Sequence, residues 1–182
     1  MRLPFFTIGH SNRSIEEFIE LLSEPRVRRI VDVRKIPRSR SNPQFNQDTL
    51  PETLASCQIS YEHIAALGGL RGKTQTLPPD INGFWINKSF HNYADYALSA
   101  QFHAGLKHLL SEGSERRCAI MCSEAVWWRC HRRIVADYLI ANGETVFHIM
   151  GLGRQEPARL TPGAVIQPCG TIVYPPANRS ES

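Results

Sequence analysis

The sequence predicts a single-domain α/β protein: a mostly parallel sheet of about five strands with helices on both faces, a Rossmann-like three-layer arrangement. Three observations point there. Short apolar runs alternate along the chain with stretches whose apolar residues recur at helical spacing. The runs are apolar throughout, as expected of strands covered on both faces. A chain of 182 residues, 42% of them hydrophobic, suits one core. The domain is expected to span 1–176, with 177–182 as a frayed C-terminal tail.

Each element follows from its residues. Phe5 to Ile8 is a short apolar strand ended by Gly9. Ser14 and Glu17 form a capping box, and Ile15, Phe18, Ile19 and Leu22 fall on one helical face. Arg29-Ile30-Val31-Asp32-Val33-Arg34 reads as a second buried strand, closed by Pro37. A helix carrying Leu50 and Leu54 leads to a third strand between Ile59 and Ile64. Residues 65–89 are irregular and long for a connection, a length usually tied to function or mobility. Phe90 to Leu110 is helical, as one helix or two, and is expected to stop at Gly113. Cys118-Ala119-Ile120-Met121-Cys122 is the fourth strand, and a helix from about Cys130 to Ala141 ends at Asn142-Gly143. Thr145 to Met150 is the fifth strand, and Thr171 to Tyr174 is expected to pair as an edge strand.

Composition removes several classes of function. No run of 18 apolar residues exists, so no membrane partner is expected. The N-terminal apolar run is too short for a secretory signal, which makes the cytoplasm the expected location. Five irregularly spaced cysteines argue for reduced thiols over a disulfide framework, with Cys57 and Cys118 expected in the core. The net charge is only +4, but Arg supplies 17 of the 21 basic residues, a residue suited to phosphate and carboxylate.

Ligands of open α/β sheets bind beyond the carboxyl ends of the strands. Those ends deliver His10 and Ser11, then Asp32 and Arg34 followed by Arg40, then Arg71, and finally Cys122 and Glu124, with Cys130, His131 and Arg132 opening the next helix. Cys130 near a helix start, flanked by His131 and Arg132, is placed to ionise readily. Glu124 just past an apolar strand suits acid–base work, and Asp32 in an apolar strand needs a partner, with Arg34 on its own face. Phe84, Trp85, Trp127 and Trp128 are candidates for stacking on a base or for the core.

Zinc is an alternative for Cys122, Cys130 and His131, with or without His10. However, Cys-x7-Cys-His lacks the paired spacing of zinc motifs, and no metal ligand is assigned. Gly68 to Thr74 falls one residue short of a P-loop and runs into Pro78-Pro79 instead of a helix. The Cys-x5-Arg loop of tyrosine phosphatases is only a distant analogy, because Trp128 occupies the Arg position.

Together Thr7-Ile8-Gly9-His10-Ser11, Asp32-Val33-Arg34 with Pro37 and Ser39-Arg40, Leu67-Gly68-Gly69 with Arg71, and Met121-Cys122-Ser123-Glu124 before Cys130-His131-Arg132 carry a resemblance. In order and spacing they resemble the bacterial and archaeal domain-of-unknown-function family numbered 488, from about Thr7 to Ile149. The resemblance implies that His10, Asp32, Arg34, Arg40, Glu124, Cys130, His131 and Arg132 are signature positions; it implies no reaction. Trp127-Trp128 depart from the smaller residues or proline expected there.

The leading reading is an enzyme acting on a phosphorylated, nucleotide or nucleic-acid substrate. Cys122, Glu124, Cys130, His131 and Asp32 would supply the chemistry; His10, Ser11, Arg34, Arg40, Arg71 and Arg132 would bind the substrate. The competing readings are a nucleic-acid-binding or accessory module without turnover, and a zinc-binding protein. The partner is an anionic small molecule or nucleic acid, and the residues identify no cofactor.

Overall fold

The computed structural model describes residues 2–177. Its main sheet has six strands, β1 (Phe5–Gly9), β2 (Arg29–Asp32), β3 (Ser60–His63), β4 (Cys118–Cys122), β5 (Val146–Gly151) and β6 (Arg154–Pro157). They lie in the order β3-β2-β4-β1-β5-β6, parallel except for β6. The helices are α1 (Ile15–Ser23), α2 (Leu50–Ala55), α3 (Lys88–Tyr96), α4 (Ala100–Glu115) and α5 (Arg132–Ala141).

Successive strand residues face opposite ways, so each apolar strand feeds two cores. Phe6, Ile8, Ile30, Ala119 and Met121 pack with Phe18, Leu22, Leu50 and Leu54 of α1 and α2. Phe5, Val31, Ile120 and Cys122 pack with Tyr93, Phe102, Leu109 and Val135 of α3, α4 and α5. The three layers are those the sequence predicts.

Three expectations are corrected, and one strand was not foreseen. The helix expected to stop at Gly113 runs on to Glu115, because Gly113 faces β1: a Cβ there would lie 2.0 Å from Phe5 Cζ, and only glycine lets α4 pass. The helix expected from Cys130 starts at Arg132, with His131 at its N-cap. The segment expected as an edge strand of the sheet pairs instead with Val165–Ile166 (β7) as a separate ribbon, Ile172–Val173 (β8). The edge is taken by the polar strand β6, which folds back on β5 and lacks the apolar run that marks the other strands. Of the expected tail at 177–182, Ala177 has no regular structure and the rest lies outside the described residues. No helix among the described residues is long and apolar enough to cross a membrane.

The chain leaves β2 toward α2 on one face and leaves β4 toward α5 on the other. β2 and β4 are neighbours, with Asp32 beside Met121. Their carboxyl ends therefore diverge and open a crevice, the usual ligand position in such sheets.

Candidate active site

A pocket of about 500 Å³ occupies that crevice. The loop after β2 supplies Arg34, Lys35, Ile36 and Arg38, and the loop after β3 supplies Gly69 and Leu70. Ser89 and Phe90 come from the start of α3; Cys122, Ser123, Glu124, Arg129, Cys130 and His131 come from the β4–α5 connection. Of the residues singled out in the sequence, Arg34, Cys122, Glu124, Cys130 and His131 therefore share one cavity.

The floor is a pair of thiols. Cys122 Sγ and Cys130 Sγ lie 2.7 Å apart, and the residues are only 3% and 6% exposed. Arg132 lies behind them. It is completely buried, and its Nη1 donates to Cys122 Sγ and to the Glu124 carbonyl, both at 2.6 Å. Its Nε reaches Thr7 Oγ1 at 3.3 Å and its Nη2 the Ala125 carbonyl at 3.2 Å. Among the described residues no carboxylate forms a salt bridge with it. A buried guanidinium without a counter-charge is strongly disfavoured, so Arg132 draws its negative partner from the sulfurs. Burial alone pushes the Cys130 thiol up, but the hydrogen bond from Cys122 and the Arg132 guanidinium outweigh it and bring it down to about 7. Burial, together with the bond to Cys130 and the charge there, holds Cys122 well above the ordinary thiol value. Above about pH 7 the pair thus carries one negative charge and one proton.

His131 completes the wall. Its Nε2 lies 2.7 Å from the Val33 carbonyl, which fixes the proton on Nε2 and leaves Nδ1 as an acceptor 3.5 Å from Cys130 Sγ. Burial holds the imidazole below its ordinary pKa, so it is neutral near pH 7. Gly69 rests against this ring; a Cβ there would lie 2.8 Å from Nδ1.

A supporting layer lies under the pocket. Asp32 is fully buried and holds Arg34 through Oδ1–Nε at 2.9 Å and Oδ2–Nη2 at 2.7 Å. Tyr61 also donates to Asp32, at 2.5 Å. Arg34 Nη1 donates to His10 Nε2 at 3.2 Å, and His10 Nδ1 faces the Ser11 carbonyl at 2.8 Å. Burial above all lowers the His10 pKa to about 4, keeping it neutral beside the guanidinium. Ser11 ties β1 to the β4 loop by its backbone N–H to Ser123. Asp32, His10 and Ser11 do not line the pocket, and the Arg34 guanidinium is committed to Asp32, His10 and the Phe45 carbonyl.

Three of the expected binding arginines lie outside the cavity: Arg132 behind the thiols, and two others. Arg40 is exposed on the loop after β2. Arg71 bonds the Ala65 and Gly68 carbonyls and lies 3.8 Å from the centre of the Tyr96 ring. The aromatics divide as well. Trp85 is buried and stacked on Phe90, and Trp127 is stacked 4.5 Å from His148, whereas Trp128 is 45% exposed.

Sequence reasoning missed Thr7 and His148. The Thr7 hydroxyl is hydrogen-bonded with His148 Nδ1 at 2.6 Å and accepts from Arg132 Nε, so β1 and β5 both orient the guanidinium. The available signal was one polar residue inside each apolar strand, Phe6-Thr7-Ile8 and Phe147-His148-Ile149. Lys35, Arg38 and Arg129, exposed at the pocket mouth, were missed because nothing local separates them from other surface cations.

The thiols do not suit zinc as they stand: two thiolates on a tetrahedral zinc keep their sulfurs roughly 3.8 Å apart. Among the described residues only Glu62, His108 and Glu112 bring three ligand atoms within 4.8 Å of one another. There Arg29 Nη1 already lies 2.6 Å from Glu62 and 2.7 Å from Glu112, filling the place of a cation.

The family model described as "Domain of unknown function DUF488" matches residues 14–139, which include the whole β4–α5 connection. No curated protein and no solved structure matches the chain.

Proposed function

The chain belongs to the DUF488 family, and we propose that it is a cysteine-dependent enzyme acting on a small anionic substrate, a phosphorylated or nucleotide-like compound. One observation carries the reading: Arg132, a buried guanidinium without a carboxylate partner among the described residues, faces a thiol pair on the floor of an open pocket. An arginine so placed maintains a thiolate near neutral pH, which is the nucleophilic form. Cys130 is the nucleophile. His131 Nδ1 accepts the proton of its thiol form, and Glu124 on the pocket wall serves the leaving group.

The substrate class follows from the mouth. Lys35, Arg38 and Arg129 are exposed there, and none is in a salt bridge among the described residues. Ile36, Leu70 and Phe90 add apolar walls suited to the flat part of a nucleotide. These cations take the anion-binding role that Arg40, Arg71 and Arg132 were expected to fill. All five cysteines are free, which suits a reducing compartment such as the cytoplasm.

Alkylation by iodoacetamide tests the reading. Cys130 is expected to react fastest at pH 7, adenosine monophosphate to slow the reaction, and Arg38→Ala with Arg129→Ala to remove that protection. Absence of protection by any phosphorylated compound overturns the substrate class. Full turnover of an identified substrate by Cys130→Ser or Glu124→Gln overturns the assigned roles.

A second reading, a nucleic-acid-binding module without turnover, is favoured by Trp128, exposed next to exposed Arg129. Its burden falls on that single ring, since Trp85 and Trp127 are already packed. Oligonucleotide affinity that falls steeply with salt supports it, and no binding at low salt ends it.

A further inference from the structure

We propose that Cys122 and Cys130 form a redox-active pair that exchanges thiols with a low-molecular-weight, negatively charged disulfide. The proposal rests on the reading above only for Cys130 as the attacking thiol and for the basic mouth.

A displacement by the Cys130 nucleophile on a phosphorylated compound needs one thiol. The second sulfur has no task there, yet Cys122 Sγ lies 2.7 Å from Cys130 Sγ, with little movement separating the pair from the ~2.05 Å of an S–S bond. Both side chains come from ordered positions, the end of β4 and the residue before the α5 N-cap. Arg132 Nη1 donates to Cys122 Sγ and its charge also lowers the Cys130 thiol, so the guanidinium can stabilise negative charge on either member of the pair. The Thr7 and His148 side chains hold it there.

The exchange balances as follows. The Cys130 thiolate attacks one sulfur of R–S–S–R, the S–S bond breaks, and RS⁻ leaves to be protonated from solvent. Cys130 is now an uncharged mixed disulfide, and Arg132 has lost its counter-charge. That loss favours ionisation of Cys122, which releases its proton to solvent. The Cys122 thiolate attacks the Cys130 sulfur, the protein disulfide forms, and the second RS⁻ leaves. Two electrons pass from the protein dithiol to the substrate, which is reduced to two thiols. Two equivalents of a small thiol run the same steps in reverse and restore the dithiol.

Size and charge define the substrate. The sulfurs lie at the floor of a pocket of about 500 Å³ and are nearly inaccessible from the surface, so a small disulfide reaches them and a disulfide held in a folded protein does not. Lys35, Arg38 and Arg129 against Glu124 alone make the mouth positive and favour a disulfide bearing carboxylates.

The reduced full chain would be mixed without oxygen with oxidised glutathione, which carries carboxylates, or with cystamine, which is cationic, and followed by intact-mass spectrometry and peptide mapping. The expected product with oxidised glutathione is a chain lighter by two hydrogens with Cys122 joined to Cys130. Two thiols are released per chain, at roughly ten times the cystamine rate or more. Cys122→Ser should stop at a glutathione adduct on Cys130, and Arg38→Ala with Arg129→Ala should remove the preference for the acidic disulfide. Wild-type chain that retains a stable glutathione adduct, or links other cysteines, overturns the pairing. Equal rates with the two disulfides overturn the substrate charge. The outcome is separable from the phosphate reading: exchange without protection by phosphorylated compounds leaves the dithiol standing alone. Turnover of a phosphorylated compound that needs Cys130 but tolerates Cys122→Ser, with no exchange, leaves only the first reading.

Discussion

Two buried arginines, Arg34 at 6% exposure and Arg132 at 0%, have opposite partners. Arg34 on the β2 side is held by the Asp32 carboxylate through two hydrogen bonds and an ion pair, so its counter-charge is a carboxylate. Arg132, at the start of α5, faces two sulfurs and backbone carbonyls. Its charge is neutralised only when one thiol loses its proton. The first pair is a support; the second couples a buried charge to a titratable, reactive group. A buried arginine whose counter-charge is conditional is therefore a candidate for chemistry.

The largest test of this contrast is Arg132→Met. It should cost about 4 kcal/mol in urea unfolding, because it removes several buried hydrogen bonds, and raise the Cys130 pKa measured by alkylation across pH. A Cys130 pKa still near 7 in that variant would show that Arg132 does not set it. Asp32→Asn should cost about 3 kcal/mol by leaving Arg34 buried and unpaired, with the thiol titration unchanged. A shift of the thiol in that variant would join the two arginines into one network and end the contrast.

The pH dependence of stability carries a smaller effect. The Cys130 pKa is depressed on folding, from about 9 to about 7, so its contribution is complete above pH 9 and is lost as pH falls through 7. Relative to Cys130→Ser, the wild-type chain should gain about 2 to 3 kcal/mol between pH 7 and pH 9, followed by urea midpoints. A parallel pair of curves would mean that no thiolate forms. The smallest effect belongs to Trp128→Ala, expected to change stability by less than about 0.5 kcal/mol, since the ring is exposed. A larger loss would show that Trp128 packs as Trp127 does.

Much of the fold was legible. The apolar runs at β1, β2 and β4 and the helical spacing in α1 and α5 are local signals, and local signals survive in a single sequence. β6 was not legible, because a polar strand at a sheet edge is defined by its neighbour β5 rather than by its own residues. The end of α4 was misread at Gly113 for the same reason: the glycine answers to Phe5, more than a hundred residues away.

The candidate site divides along the same line. By itself the sequence determined that Cys122, Glu124, Cys130 and His131 gather at one edge of the sheet, because strand ends and helix starts are read from periodicity and punctuation. It also determined the Asp32–Arg34 partnership, since residues two apart on a strand share a face. Only the tertiary structure decided that Arg132 turns inward onto the thiols, that Arg71 stacks on Tyr96, and that Lys35, Arg38 and Arg129 surround the mouth. Those outcomes depend on strand order and on how far α3 and α5 approach the sheet, distances that no local pattern encodes.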